Sequence, residues 1–359
     1  MAYAILFIFA VTALLSILEQ YMGKAKWILF AIIGITLILL AGLREVGIDP
    51  DSENYANAYR NYMFADDSIS GGVEYSYILL SAFFNFFTDD VHILFLFYAF
   101  FGLALKFFAI TRYTKEDVFL SVMLYIAFYY ELHEVTQIRT GILSGLFLLA
   151  LIEVGEGRRL RALLFLAIGC LFHVSGIILL PFVFLSNKIA SMKSRFIWAS
   201  LIPLGYLLYF AGMGVLMNME SSIPYIGDKL EIYQKGAEMI ATQVNVNVFS
   251  PLQLFTMALY IFLLIFYDTI AEENKYFPIL MKAFSIGIFC LPAFAALPTL
   301  AERLNNLFNI VTIILYANIY YTIKPSFYGR LLVIAIAIIL LNYGLFYIDN
   351  FIFLWKSSI

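Results

Sequence analysis

The chain has 359 residues, of which 63% are apolar, 18% aromatic and only 13% charged. A soluble domain carries roughly 25% charged residues, so this composition excludes a water-soluble globule and points to lipid as the solvent. A formal net charge of −3 offers no polycationic surface to nucleic acid. The two cysteines, Cys170 and Cys290, sit in apolar runs without a Cys or His at metal-ligand spacing, and read as buried thiols.

A helix crosses the hydrocarbon with about 20 apolar residues. In chain order the expected spans are 2–19, 26–43, 91–111, 118–136, 138–154, 196–217, 251–269, 278–298, 303–323 and 331–353. The first has no basic residue before its apolar run and no small-residue cleavage site, so it reads as a retained anchor rather than a signal peptide. Two stretches resist the scheme. Residues 74–88 (EYSYILLSAFFNFFT) are apolar but short. Residues 160–185 are longer than one span and carry His173-Val-Ser-Gly176 in mid-run, which predicts a break there. The fold class expected is all-α: one polytopic transmembrane helix bundle over 1–359, with ten to twelve membrane segments and short broken or re-entrant helices.

Charge asymmetry orients the bundle, because Lys and Arg favour cytoplasmic loops. If 74–88 dips without crossing and 160–185 folds back at His173, the short basic loops fall on one side. They hold Lys24 and Lys26, Arg112 and Lys115, the Arg158–Arg159–Arg161 cluster, Lys188 with Lys193 and Arg195, Lys275, and Lys324 with Arg330. Lys106 and Lys282 read as anchors near cytoplasmic helix ends. A full crossing by 74–88 would reverse that bias over most of the chain. Both termini are therefore expected outside, and so are the loops 44–73 and 218–250.

This orientation gathers the polar residues on the outer face. His92, His133 and His173 all fall at or near it, with Glu131–Arg139 and Glu302-Arg303. Arginines at a membrane edge suit phosphate, whose oxygens match the guanidinium fork. A nearby carboxylate or imidazole suits general-base work on a hydroxyl. A snorkelling anchor is the plain alternative for Arg44 and Arg303. It is a weaker one for Arg139, which breaks an apolar run at a non-cytoplasmic end. His173 is equally readable as a satisfied core histidine, and Glu131 and His133 as solvated loop residues. Tyr55, Tyr59 and Tyr62 recur at helical spacing and form one stripe, either a platform for sugar rings or one face of a helix lying on the bilayer. The chain contains no phosphate-binding loop, no dinucleotide fingerprint and no metal cluster, so no cofactor and no metal are expected.

Five elements then occur in a telling order: Arg44-Glu-Val-Gly-Ile-Asp49-Pro-Asp51-Ser-Glu-Asn-Tyr55, Glu74-Tyr-Ser-Tyr, Gln137-Ile-Arg139-Thr-Gly-Ile-Leu-Ser144, Leu171-Phe-His173-Val-Ser, and Ala301-Glu-Arg303-Leu-Asn. Together they resemble the EpsG-like family of Wzy-type polysaccharide polymerases over roughly residues 1–310. Two departures stand out. Either Asp49 or Asp51 can be the counterpart of the family's acidic residue, and Glu74-Tyr75 lacks the intervening glycine. The resemblance implies a GT-C-like membrane glycosyltransferase in a bacterial inner membrane, joining undecaprenyl-diphosphate-linked repeat units into O-antigen or exopolysaccharide at the periplasmic face. Its partners would be that lipid-linked glycan, membrane lipid and a chain-length regulator.

On this reading Arg139 and Arg303 hold the diphosphate with Arg44 assisting, and His173, Glu131, His133 and Asp49 are candidates for the base. Asp51, Tyr55, Glu74 and Gln137 would contact sugar. Two alternatives stay open. A flippase or transporter of the same lipid-linked glycans would place charge at the helix centres. An O-antigen ligase-like transferase would carry a larger outer loop than 218–250.

Overall fold

The computed structural model describes residues 1–61, 75–114, 117–211 and 246–347, and among these no residue lies in a strand. The chain forms two compact units: Met1–Asn187 with the stretch from Tyr316 onward, and Lys188–Leu315. Helices are the expected outcome of long apolar runs in lipid, where every backbone N–H and C=O must find its partner within the segment.

The first unit opens with α1 (Ala2–Leu18) and α2 (Ala25–Gly42). Two short helices follow: α3 (Ser52–Arg60) and α4 (Tyr75–Asn85). At 1.5 Å per residue the 11 residues of α4 rise only about 16 Å, half the hydrocarbon thickness. The helix α5 (His92–Tyr113) is long and apolar enough to cross a membrane. Next, α6 (Val118–Leu124) runs into two π-helical stretches, Tyr125–Tyr129 and Glu131–Thr136.

The helix α7 (Ile138–Gly155) is the centre of this unit. It is buried on almost every side, and it packs on α5 and on α8 (Arg159–Phe172). The helix α8 ends at Phe172, His173 is extended (φ −152°, ψ 125°), and a 3-10 helix, Val174–Phe184, packs back along α8. The change of winding falls at the predicted break. The last helix of this unit, which packs on α1 and α6, covers Ser326–Tyr347.

In the second unit α9 (Met192–Ala199) and α10 (Leu201–Ala211) are followed by α11 (Pro251–Ile265) and α12 (Tyr267–Glu273), which meet at 75°. The buried helix α13 (Phe277–Ala293) packs on α10 and on α14 (Pro298–Asn309). Arg195 on α9 is ion-paired with Asp268 on α12, and its guanidinium carbon lies 4.1 Å from the Tyr267 ring centroid.

Among the described residues six helices are long and apolar enough to cross a membrane, or seven if the bent α11–α12 pair is one span. The sequence predicts ten to twelve membrane segments. Part of the difference is length, since 278–298 forms one α-helix, Phe277–Ala293, of only 17 residues; the rest lies in the runs that do not stay α-helical. The run 118–136 passes into π turns, 160–185 breaks at His173, and 303–323 is divided among α14, a turn at Thr312–Leu315 and a 3-10 helix at Ala317–Thr322. Composition alone cannot distinguish a continuous apolar helix from a broken one. Cys170 and Cys290 are free thiols.

Candidate functional site

Arg44, Asp49, Asp51, Tyr55 and Arg139 gather where α2, α3 and α7 begin or end. The chain leaves α2 at Gly42, and Arg44 turns inward to full burial of its side chain. Its Nε donates to Asp49 Oδ2 at 3.0 Å, its Nη1 donates to the Ala41 carbonyl at 2.7 Å, and its guanidinium carbon lies 4.0 Å from the Phe95 ring centroid. The second Asp49 oxygen accepts the backbone N–H groups of Asp51 (3.1 Å) and Ser52 (3.0 Å), which starts α3. One carboxylate thus neutralises Arg44 and caps a helix, and Asp49 rather than Asp51 is the partner of Arg44.

The loop is also tied from outside the side chain. The Arg44 carbonyl accepts a hydrogen bond from His92 Nε2 at 2.9 Å, while His92 Nδ1 faces Asp90 Oδ1 at 2.6 Å. The Asp90 carboxyl is held below its ordinary range by the His92 backbone N–H, and secondarily by the imidazole.

Next to this pair stands a ladder of tyrosines. Tyr55 and Tyr77 lie 5.7 Å apart, Tyr77 and Tyr98 6.1 Å, and Tyr98 meets Phe172 edge-on at 6.1 Å. Tyr77 donates its hydroxyl to the Tyr55 carbonyl at 2.7 Å. Tyr55 and Tyr59 are both buried in one apolar cluster with Phe95, Ile138 and Ile142, and the Tyr59 hydroxyl donates to the Thr88 carbonyl. The predicted stripe therefore faces protein at both positions, and Tyr62 lies outside the described residues. Arg139, in the first turn of α7, brings its guanidinium carbon to 5.6 Å from the Tyr55 ring centroid. Burial raises the Tyr55 hydroxyl above its ordinary pKa, and the charge and hydrogen bond of Arg139 oppose that rise.

The remaining candidates divide. Glu131 is buried, accepts from Thr136 Oγ1 at 3.0 Å and lies in electrostatic range of Asp49, Arg44 and Asp51. His133 is fully buried, with Nδ1 at 3.2 Å from Ser144 Oγ and its ring 5.3 Å from Tyr129. Gln137 is the half-buried hinge between the π-helical stretch and α7. His173 is 9% exposed, at the turn that follows Phe172. Glu74 lies outside the described residues, as does most of the 218–250 loop. Arg303 belongs to the second unit, where it is exposed on α14.

One buried network escapes the sequence reading. Lys106, expected to be an anchor near a helix end, is fully buried. Its Nζ donates to Glu134 Oε1 and to the Gly141 carbonyl, each at 2.6 Å. Tyr125 donates to the same carboxylate oxygen at 2.6 Å. Gly102 and Gly141 make room for it: a Cβ on Gly102 would come within 2.2 Å of Glu134 Oε2, and one on Gly141 within 2.3 Å of the His133 carbonyl. The available signal was a lysine and a glutamate inside apolar runs, since charges within membrane helices pair with one another.

The observations describe a polytopic helical membrane protein with a cluster of arginine, carboxylate and tyrosine side chains at one end of α7. The chain belongs to the EpsG family, whose sequence model matches residues 27–356. It is similar to the amylovoran biosynthesis protein AmsC of Erwinia amylovora, with 23% identity over 295 residues that cover 78% of this chain and 75% of that protein. No solved structure matches the chain.

Proposed function

We propose that the chain is a polysaccharide polymerase that joins lipid-diphosphate-linked repeat units at the extracytoplasmic face of the membrane. Membership of the EpsG family supports this reading, as does the similarity to a protein of amylovoran biosynthesis. The observation that carries it is Arg139: a half-buried arginine at the start of α7, against Tyr55, which also lies in electrostatic range of the buried Arg44. Undecaprenyl diphosphate is the donor carrier on this reading.

The chemistry follows from charge. The acceptor hydroxyl oxygen attacks the anomeric carbon of the growing glycan, and the bond from that carbon to the diphosphate oxygen breaks. The diphosphate takes the bonding pair and leaves as an anion. A preorganised guanidinium stabilises that developing charge. Arg139 has this part, with Arg303 of the second unit as the further candidate. Arg44 has a smaller one, because its side chain is wholly buried against Asp49. The hydroxyl proton goes to a base, for which His173 is first choice. Glu131 and His133 are more enclosed, and the Asp49 carboxylate is committed to Arg44 and the start of α3. Asp51 and Gln137 remain the residues proposed to meet sugar.

The buried Lys106–Glu134 pair favours a second reading, a transporter of the same lipid-linked glycans, since charge inside membrane helices marks transport pathways. One assay separates the readings. Full-length protein in detergent is incubated with undecaprenyl-diphosphate-linked repeat units and the products are run as a ladder. A polymerase lengthens the glycan in detergent, and a transporter leaves single units. Arg139→Ala is expected to lower ladder formation about 10²-fold, in line with loss of one charge-stabilising donor, with Arg139→Lys between. A normal ladder from folded Arg139→Ala protein refutes the phosphate role.

A further inference from the structure

We infer that the open end of the α8–3-10 hairpin binds an anionic phospholipid, with an acyl chain between the two helices and the phosphate on Arg159. The hairpin leaves an open groove of about 530 Å³ between them. Leu160 and Leu163 of α8 form one wall, and Ile177, Leu180 and Val183 of the 3-10 helix form the other. A 3-10 helix repeats every three residues, so these last three side chains eclipse into a straight apolar ridge about 12 Å long. Arg159 is the one charged residue on the groove, at the end where α8 begins.

Charge complementarity selects the occupant. The neighbouring Arg158 is committed: its Nε and Nη2 donate to the two oxygens of Glu153, the second at 3.0 Å, and Glu156 stands at 4.0 Å. Among the described residues Arg159 has no ion pair, and Arg161 is exposed two positions further on. An apolar trough ending in an unneutralised guanidinium fits a lipid whose phosphodiester accepts the bidentate fork. The uncompensated positive charge favours a headgroup with net negative charge over a zwitterion. Burial of methylenes along Leu160, Leu163 and the 3-10 ridge supplies the rest.

This site is not the proposed diphosphate site. Arg139 opens α7, and Arg158–Arg159 follow its other end. The 18 residues between them separate the two by about 27 Å along the helix axis. A lipid here would clasp the two arms of the hairpin whose tip is His173.

Native mass spectrometry of the full-length protein tests this, with phosphatidylglycerol and phosphatidylcholine of identical acyl chains added in turn. The expected result is tighter retention of phosphatidylglycerol, with Arg159→Gln lowering it about fivefold, toward the phosphatidylcholine value. Ile177→Trp is expected to weaken both lipids by filling the trough. Equal retention of the two lipids by the wild-type chain overturns the proposal, even if Arg159→Gln fails to fold. Unchanged retention by folded Arg159→Gln overturns it as well. Displacement of phosphatidylglycerol by one equivalent of undecaprenyl phosphate assigns the groove to a polyprenyl tail and also overturns it, as does a lipid-free dimer. None of these outcomes depends on the ladder assay.

Discussion

At the scale of single residues, Asp49 is the most consequential position. Its two oxygens serve a buried guanidinium and two backbone N–H groups at the start of α3. Removing one member of a buried ion pair leaves an uncompensated charge, at a cost of about 3–5 kcal/mol. Asp49→Ala is expected to lose that much, measured as the unfolding midpoint in detergent. Asp49→Asn should lose less, because its amide oxygen still accepts from Asp51 and Ser52. If Asn matches wild type, the Arg44 ion pair contributes nothing. The sequence left Asp49 and Asp51 as equal candidates, since the two lie two residues apart in one loop. Only the turn of the chain brings Asp49 under Arg44. Tyr55 shows the converse: its helical spacing was readable, but whether the stripe met sugar, lipid or protein depended on what packs over it.

At the scale of elements, the stretch from Tyr125 to Thr136 is held by the Lys106–Glu134–Tyr125 network. The network ties α5 to the π-helical turns and, through the Gly141 carbonyl, to the first turns of α7. The placement of Arg139 depends on that anchorage. Lys106→Met leaves Glu134 without its cation and is expected to cost about 3–5 kcal/mol. Lys106→Met with Glu134→Leu should cost clearly less than either single change, because an apolar replacement of a buried pair is often near neutral. A double-mutant comparison of unfolding midpoints checks this, and additive losses would show that the pair is not coupled. The sequence reading held the helix centres nearly free of charge. It counted each lysine against its own helix, whereas Lys106 finds its partner 28 positions away.

At the scale of the whole molecule, the proposed reaction requires the Arg44 loop and the Arg158–Arg161 turn to face opposite sides of the membrane. The helix α7 joins the two ends, with Arg139 in its first turn and Arg158 just past its last. Single exposed cysteines test it in a chain whose native Cys170 and Cys290 are replaced by alanine. Glu45→Cys should react with an impermeant maleimide in intact cells, and Arg161→Cys only after the membrane is opened. The reverse pattern would move the site to the cytoplasmic face and remove the extracytoplasmic reading.

By itself the sequence determined the solvent, the helical class, the family resemblance and the irregularity of 74–88 and 160–185. These follow from composition and local pattern: too few charges for water, apolar runs near the length of a bilayer, a histidine in mid-run. Tertiary structure decided which runs remain continuous helices, which of two aspartates meets Arg44, and that Lys106 is an interior ion-pair partner rather than an anchor. The ion pairs depend on how the chain folds back, over five residues for Arg44 and Asp49 and over 28 for Lys106 and Glu134, and in a low-dielectric interior it is the partner, not the residue type, that sets what a charged group does.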